Sequence, residues 1–315
     1  MCKILPAQNW VSDDNYKNME SSISINQTTC KVCQLCAEVC PNKIPVKNES
    51  NVMVIRPDRV DLCFRCGQCM AVCTTRSILV DGLSYETDFF ELPENAPNGY
   101  EKTFYDMIHT RRAIRNFKDK PVPKELLEKI VEAISFAPPG FPPLKIKIIV
   151  VQNTQLIRQA LPDMIKLYDT LVTMMKKTIP RFFIKKEVGK KKFKTMQEHL
   201  IPLLISRLPA LKNGTEDTIT RNAPAMILFL ADKNEEDIAQ DISIAATYGM
   251  LATHSLGLGG SIMDLIPPAI EKDKELRKLF CVPDHQEVVT SIIIGYPKYK
   301  YQRGIKRSLK SVKWI

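Results

Sequence analysis

The chain has 315 residues and a formal net charge of +10, from 45 Lys and Arg against 35 Asp and Glu. That length predicts about two domains with room for a sizeable core, and no stretch approaches the ~18 consecutive apolar residues of a membrane span. The basic excess would suit nucleic acid, an anionic surface or an acidic electron carrier. Much of it falls on Lys185, Lys186, Lys190, Lys191, Lys192 and Lys194, which reads as a solvated helix face, and no nucleic-acid partner is expected.

Residues 1–21 are polar and irregular and read as an N-terminal extension. They show no export signal, so a cytoplasmic location is expected. Eight of the ten cysteines then follow in two identical quartets. The first is Cys30-x-x-Cys33-x-x-Cys36-x-x-x-Cys40-Pro41 and the second Cys63-x-x-Cys66-x-x-Cys69-x-x-x-Cys73. A C-x-x-C-x-x-C run wraps three thiolates around one [4Fe–4S] cube, and the trailing cysteine ligates the other cube. The spacing therefore assigns Cys30, Cys33, Cys36 and Cys73 to one cluster and Cys40, Cys63, Cys66 and Cys69 to a second. Zinc would ask for separated pairs of cysteines, and disulfides for an exported chain. Cys2 and Cys281 are left over and read as unpaired, inert thiols. Residues 22–83 resemble bacterial two-cluster ferredoxins, with Thr74 where that motif carries proline. Short strands are expected at 52–55 and 78–80, and 84–99, with Pro93, Pro97 and Gly99, reads as a linker.

From residue 100 to 315 helices alternate with a few apolar strands, which predicts a layered α/β domain. A helix is expected over 103–110, and another opens at Pro123 with an apolar stripe of Leu126, Leu127, Ile130, Val131 and Ile134. Strands are expected at 146–151, 225–231 and 288–295. Residues 155–208 read as helical with breaks at Pro162, Pro180, Gly189 and Pro202. Further helices are expected at 236–256, stopped by Gly257, and at 268–280. Met174, Met175, Phe182, Phe183 and Phe193 are candidates for an adaptable apolar pocket, with plain core packing as the equal alternative. His109, His199, His254 and His285 are isolated, which points to packing or surface roles, and Asp241 reads as a helix-surface charge.

The chemistry of this second part gathers in five segments. Arg111-Arg112-Ala113-Ile114-Arg115-Asn116-Phe117 sets three guanidinium groups close together, suited to bidentate binding of phosphate. Ala137-Pro138-Pro139-Gly140, Asn222-Ala223-Pro224, Leu256-Gly257-Leu258-Gly259-Gly260 and the tail from Ile294 through Arg307 to Trp314 complete the set. Together they resemble the FMN-dependent nitroreductase family, and the tail its ferredoxin-fused members. The resemblance implies an α+β chain whose second domain is a three-layer α/β fold around a mainly antiparallel sheet. It implies that Arg111, Arg115 and Arg307, helped by Arg112, hold the FMN phosphate. It implies that Pro138, Pro139 and Gly140 lie against the flavin, and that Gly259 and Gly260 let backbone approach the ring. Pro142-Pro143-Leu144-Lys145 replaces the polar run usual in the family. A homodimer with FMN between the chains is implied as well.

The combined expectation is an oxidoreductase passing electrons from two [4Fe–4S] clusters to FMN and on to nitro-aromatic or quinone acceptors, with ferredoxin or NAD(P)H as donor. The flavin carries the reaction, so no dedicated catalytic side chain is expected. The alternatives are an electron-transfer protein that reduces another protein's cofactor and a redox sensor without turnover.

Overall fold

The computed structural model describes residues 22–92, 99–140, 146–233 and 238–315. The N-terminal extension, most of 93–98 in the expected linker, and the Pro142–Lys145 departure lie outside the described residues. The chain divides between Asn98 and Gly99 into two compact units.

In the first unit two antiparallel ribbons bracket the cysteine runs. Strand β1 (Ile23–Ile25) will pair with β4, and β2 (Pro45–Lys47) pairs with β3 (Met53–Ile55). Strand β4 (Ile78–Val80) closes on β1 in the register Ile23↔Val80. Two one-turn helices, α1 (Leu35–Val39) and α2 (Gln68–Ala71), each carry the third cysteine of a quartet. The backbone repeats itself: Val32 and Arg65, Gln34 and Gly67, and Lys43 and Arg76 all sit in the left-handed region at equivalent places in the two halves. A loop that must turn three thiolates toward one point uses such residues to reverse direction tightly. The core is small, with Met70, Ile78 and Val80 fully buried. Tyr85 and Phe89, from the stretch read as linker, pack on that core. Gly67 shows why glycine stands there, since a Cβ would lie 3.1 Å from Phe89 Cζ and its φ is 71°.

The second unit is built on a four-stranded sheet ordered β5-β6-β8-β7, antiparallel throughout. The strands are β5 (Lys147–Val151), β6 (Ala225–Asp232), β7 (Gly259–Ile262) and β8 (Gln286–Gly295). Side chains alternate across a strand, and β6 is buried on both faces. Ala225, Ile227 and Phe229 point to one core, and Met226, Leu228 and Leu230 to the other. Helices α4 (Lys124–Ser135) and α8 (Ile238–Ser255) cover the first face. Helices α5 (Thr154–Lys176), α7 (Ile201–Lys212), α9 (Ile266–Lys272) and α10 (Lys274–Leu279) cover the second. This is the three-layer arrangement around an antiparallel sheet expected above. Each of Leu127, Ile130 and Ile134 on α4 contributes ~1.5–3 kcal/mol by burial, as an upper bound.

Several boundaries differ from the sequence reading. Pro162 does not break α5, which runs on to Lys176 after a start capped by Asn153, whose Oδ1 accepts from Gln155 N at 2.9 Å. The break comes at Lys177, and α6 (Thr178–Thr195) bends at Gly189, φ 80° and ψ 160°. The expected helix at 268–280 is two helices, because Asp273 leaves helical geometry to cap α10. Strand β7 occupies glycines expected only as a flavin approach. Met175 and Phe193 are core residues, whereas Met174, Phe182 and Phe183 are exposed, so the five do not form one pocket wall. Cys281 is disulfide-bonded and not the unpaired thiol expected; pairing depends on approach in space, which spacing along the chain does not reveal.

Candidate functional site

In the first unit the quartets interleave in the order that spacing alone predicts. One cavity is lined by Cys30, Cys33, Cys36 and Cys73, the other by Cys40, Cys63, Cys66 and Cys69. Burial pushes the Cys36 thiol up, and the charges of Cys73, Cys33 and Cys30 add to it. Burial, then Cys63 and Cys66, push Cys69 up to about 12, with Cys40 contributing. Cys63 is raised by burial and by Cys66 and Cys40. Thiolates crowded this way repel one another until a cationic group neutralises them. Among the described residues no three His, Cys, Asp or Glu close on a single ion. The sulfurs surround a volume, which fits a cube better than zinc.

The protein also donates to these sulfurs. Ser77 N lies 3.2 Å from Cys73 Sγ, Thr75 Oγ1 lies 3.7 Å from it, and Ile44 N lies 3.4 Å from Cys40 Sγ. Burial alone would raise Cys73. The Ser77 amide, the Thr75 hydroxyl and the amides of Ile78 and Thr75 outweigh it and bring Cys73 below the ordinary thiol range. Donors of this kind stabilise a charged sulfur.

In the second unit the helix α3 (Tyr100–Thr110) ends where Arg111 turns to extended backbone. Segment 111–118 then lies along the end of the sheet. Ile114 N donates to Gly260 O at 3.0 Å, Lys118 N to Tyr296 O at 2.8 Å and Lys298 N to Asn116 O at 3.0 Å. Gly259 is needed because a Cβ there would come within 2.5 Å of Ile114 Cγ1. Gly295 is needed because a Cβ would meet Phe117 Cδ1 and Pro224 Cδ, each at 2.7 Å. These glycines therefore admit protein side chains, not only a cofactor ring, and so hold the arginine segment in place.

That placement brings Arg111, Arg112 and Arg307 together. The Arg111 guanidinium is held below its ordinary range by burial, then by Arg112 and Arg307. Arg112 Nη1 donates to Arg111 O at 2.6 Å, yet its Nε is buried with no partner. The tail leaves room for Arg112 because residue 304 is glycine; a Cβ would lie 2.9 Å from Arg112 Nη2. No carboxylate forms an ion pair with any of the three among the described residues. His254 sits at the same place, Nε2 2.9 Å from Thr110 Oγ1, and its pKa is lowered by burial and by Arg111 and Arg112. A convergence of unneutralised guanidinium groups with an orphaned nitrogen fits a phosphate. Arg115 is exposed and falls outside this group, beside Arg221.

On the first face of the sheet, Pro138, Pro139 and Gly140 follow α4 and are exposed. Asp241 anchors them. It is 6% exposed, and both its carboxylate oxygens accept from Gly140 N, at 2.9 and 2.8 Å. A Cβ on Gly140 would lie 2.8 Å from Asp241 Oδ1. The surface role expected for Asp241 is thus corrected, because the loop covers it from a position 101 residues earlier in the chain.

Comparison with known families places this architecture. Residues 108–296 match the nitroreductase family. The chain belongs to that family. Residues 7–78 match a 4Fe-4S dicluster domain, so the nitroreductase carries an iron–sulfur module in front of it. Relatives from Methanothermobacter thermautotrophicus and Archaeoglobus fulgidus, both provisionally named NADH dehydrogenase/NAD(P)H nitroreductase, are 26% and 27% identical over 196 and 197 residues. Each alignment covers 61% of this chain, and 76% and 84% of the respective relative. A nitroreductase from Bacteroides fragilis, solved with bound FMN, superposes with a TM-score of 0.50 at 19% identity, covering 67% of this chain and 97% of that one. That likeness shows the shared fold. Family and module together make this nitroreductase homologue an oxidoreductase. No helix among the described residues is long and apolar enough to cross a membrane.

Sequence reasoning missed Asp241, His254 and Arg221 in this nitroreductase domain. For the first two no local signal exists, since their partners are remote in sequence. Arg221 and Asn222 both take left-handed backbone just before Ala223-Pro224, φ 59° and 51°, a pair that an Arg-Asn-x-Pro turn could have suggested.

Proposed function

We propose that this chain passes electrons from two [4Fe–4S] clusters to FMN and on to a nitro-aromatic or quinone acceptor. The observation that carries the reading is the joint presence of two interleaved cysteine quartets and an unneutralised arginine cluster on a nitroreductase sheet. The Cys30, Cys33, Cys36 and Cys73 thiolates would hold one cluster and Cys40, Cys63, Cys66 and Cys69 the other. Arg111, Arg112 and Arg307 would hold the FMN phosphate, with Arg111 and Arg112 fixed by the 111–118 segment. Gly140, clamped by Asp241, and the Gly259-Gly260 strand would border the flavin. FMN would supply the conversion between single electrons and a hydride equivalent. The chain's own residues bind, orient and shield; no side chain is assigned a proton in the reaction.

A second copy of the chain would complete the site. Helix α3 buries none of its residues, and Tyr100, Phe104, Tyr105 and Ile108 are exposed on it. Four large apolar residues on one helix beside the arginine cluster suit a homodimer. The relatives' names support NAD(P)H as a donor, and the iron–sulfur module supports ferredoxin. Anaerobic stopped-flow mixing of the full-length protein with reduced ferredoxin tests the order. Cluster bleaching before flavin bleaching is expected, followed by oxidation on adding a nitro-aromatic. Flavin reduction by ferredoxin at an undiminished rate in a Cys33→Ala, Cys66→Ala double variant would overturn it.

A further inference from the structure

Two arginine side chains in the described residues have a buried Nε without any partner, Arg112 and Arg221. The first belongs to the cluster just assigned to the cofactor phosphate. The second lies in a separate cluster that this assignment leaves unused. Its charge is held below the ordinary arginine range by burial and next by Arg115.

The surroundings of Arg221 are built and rigid. Asp217 organises the loop before β6: its Oδ1 accepts from Ile219 N at 2.9 Å and Thr220 N at 2.8 Å, and its Oδ2 from Asn222 N at 2.8 Å and from the Thr220 hydroxyl. Both carboxylate oxygens are thus occupied within the loop. Glu216, the other acid nearby, takes Arg207 Nη1 at 2.9 Å. Arg221 is left in left-handed backbone, φ 59°, with no acid bonded to it. Arg115 arrives from the other side. Phe117, two residues after Arg115, and Pro224, three residues after Arg221, both pack against Gly295. The two arginines are therefore presented at the same end of the sheet as Gly259 and Gly260, which pair with Gly295 and Ile294.

We infer that Arg115 and Arg221 form a second anion subsite, distinct from the Arg111–Arg112–Arg307 cluster, that takes the anionic group of a small redox partner. The inference rests on the flavin reading for its location, because the subsite shares the sheet end that would border the ring. The ligand chemistry is a carboxylate or phosphate, which guanidinium forks bind bidentately and a neutral analogue does not satisfy. Such a group could belong to the acceptor or to a nicotinamide donor. Two like charges that no acid neutralises disfavour each other, and an arriving anion relieves both.

The test uses the full-length, anaerobically reconstituted protein. Two matched pairs of probes separate the sources: 4-nitrobenzoate against 4-nitrobenzamide for an acceptor, and NADPH against NADH for a donor. Affinities are read from ligand-induced thermal shifts, which need no flavin signal, so failure of FMN binding and failure of the subsite are seen separately. The wild type is expected to prefer the more anionic member of one pair. Arg221→Gln should reduce that preference about ten-fold, the scale of one partly exposed charge-assisted contact, with the neutral member unaffected. Arg221→Lys should restore part of it. FMN affinity should be the same in all three proteins. Absence of preference in both pairs for the wild type would overturn the inference, as would a loss of FMN affinity in Arg221→Gln, which would assign the arginine to the cofactor.

Discussion

Replacing Gly259 by alanine is the sharpest probe of how the arginine segment is held. The new Cβ would lie 2.5 Å from Ile114 Cγ1, 2.7 Å from its Cβ and 2.9 Å from its Cγ2. Carbon atoms sit comfortably at about 3.5–4.0 Å, so one side must retreat by roughly 1 Å. Ile114 cannot swing away easily. It is 7% exposed, β-branched and tied through its amide to Gly260 O at 3.0 Å. Overpacking of this kind costs about 1–3 kcal/mol. For a domain of this size that corresponds to a fall of roughly 2–12 °C in Tm. Because the retreating segment also carries Arg111 and Arg112, FMN affinity should fall more than riboflavin affinity. Thermal unfolding and fluorescence titration with the two flavins measure both effects. Adding Ile114→Ala removes two of the three crowded atoms, so the double variant should be more stable than the sum of the single losses predicts. A Gly259→Ala protein with unchanged Tm and unchanged FMN affinity would refute the reasoning and return the glycine to a purely cofactor-facing role.

Three further outcomes follow from the same geometry. Asp241→Ala leaves the buried Gly140 amide without its acceptor and should cost about 1–3 kcal/mol in urea unfolding, with Asp241→Asn recovering part; equal stability of all three proteins would mean that the clamp is incidental. Cys73→Ala should remove the same EPR signal as Cys33→Ala, and Cys40→Ala the same as Cys66→Ala, with iron falling from about eight to about four per chain in each case; a Cys73→Ala protein that loses the signal sensitive to Cys66 would reverse the assignment. His254 is pressed toward its neutral form by burial and by Arg111 and Arg112. Its folded pKa lies below the unfolded value of ~6.5, so the unfolded chain takes up the proton first and stability falls as pH drops through that range. His254→Gln should flatten that fall, and NMR titration should show the pKa rising when FMN offsets the arginine charge; a His254 pKa indifferent to FMN would place the phosphate elsewhere.

The cluster ligands were legible in the sequence because their chemistry is written in short spacings. Three thiolates within one tight loop can meet one cube, and the trailing cysteine reaches the other whichever way the rest of the chain folds. The apolar runs that became β5, β6 and β8 and the stripe that became α4 were legible for a related reason: burial selects residue type at the period of the element. Boundaries at Lys177 and Asp273 were not, because caps and bends compete locally by small margins that packing settles.

What only the tertiary structure decided is which arginines act together and what holds them. Arg111 and Arg115 lie in one short motif, yet adjacent positions on an extended segment face opposite ways. Arg111 turns to Arg112 and to Arg307 from the tail, and Arg115 turns to Arg221 from the loop before β6. The role of Gly259 was likewise hidden, since the atoms it avoids belong to Ile114, 145 positions away. Asp241 became a clamp only when Gly140 came to lie over it. Charge, close contact and shielding depend on distance in space, and for residues far apart in the chain that distance is set by the packed sheet and its helices.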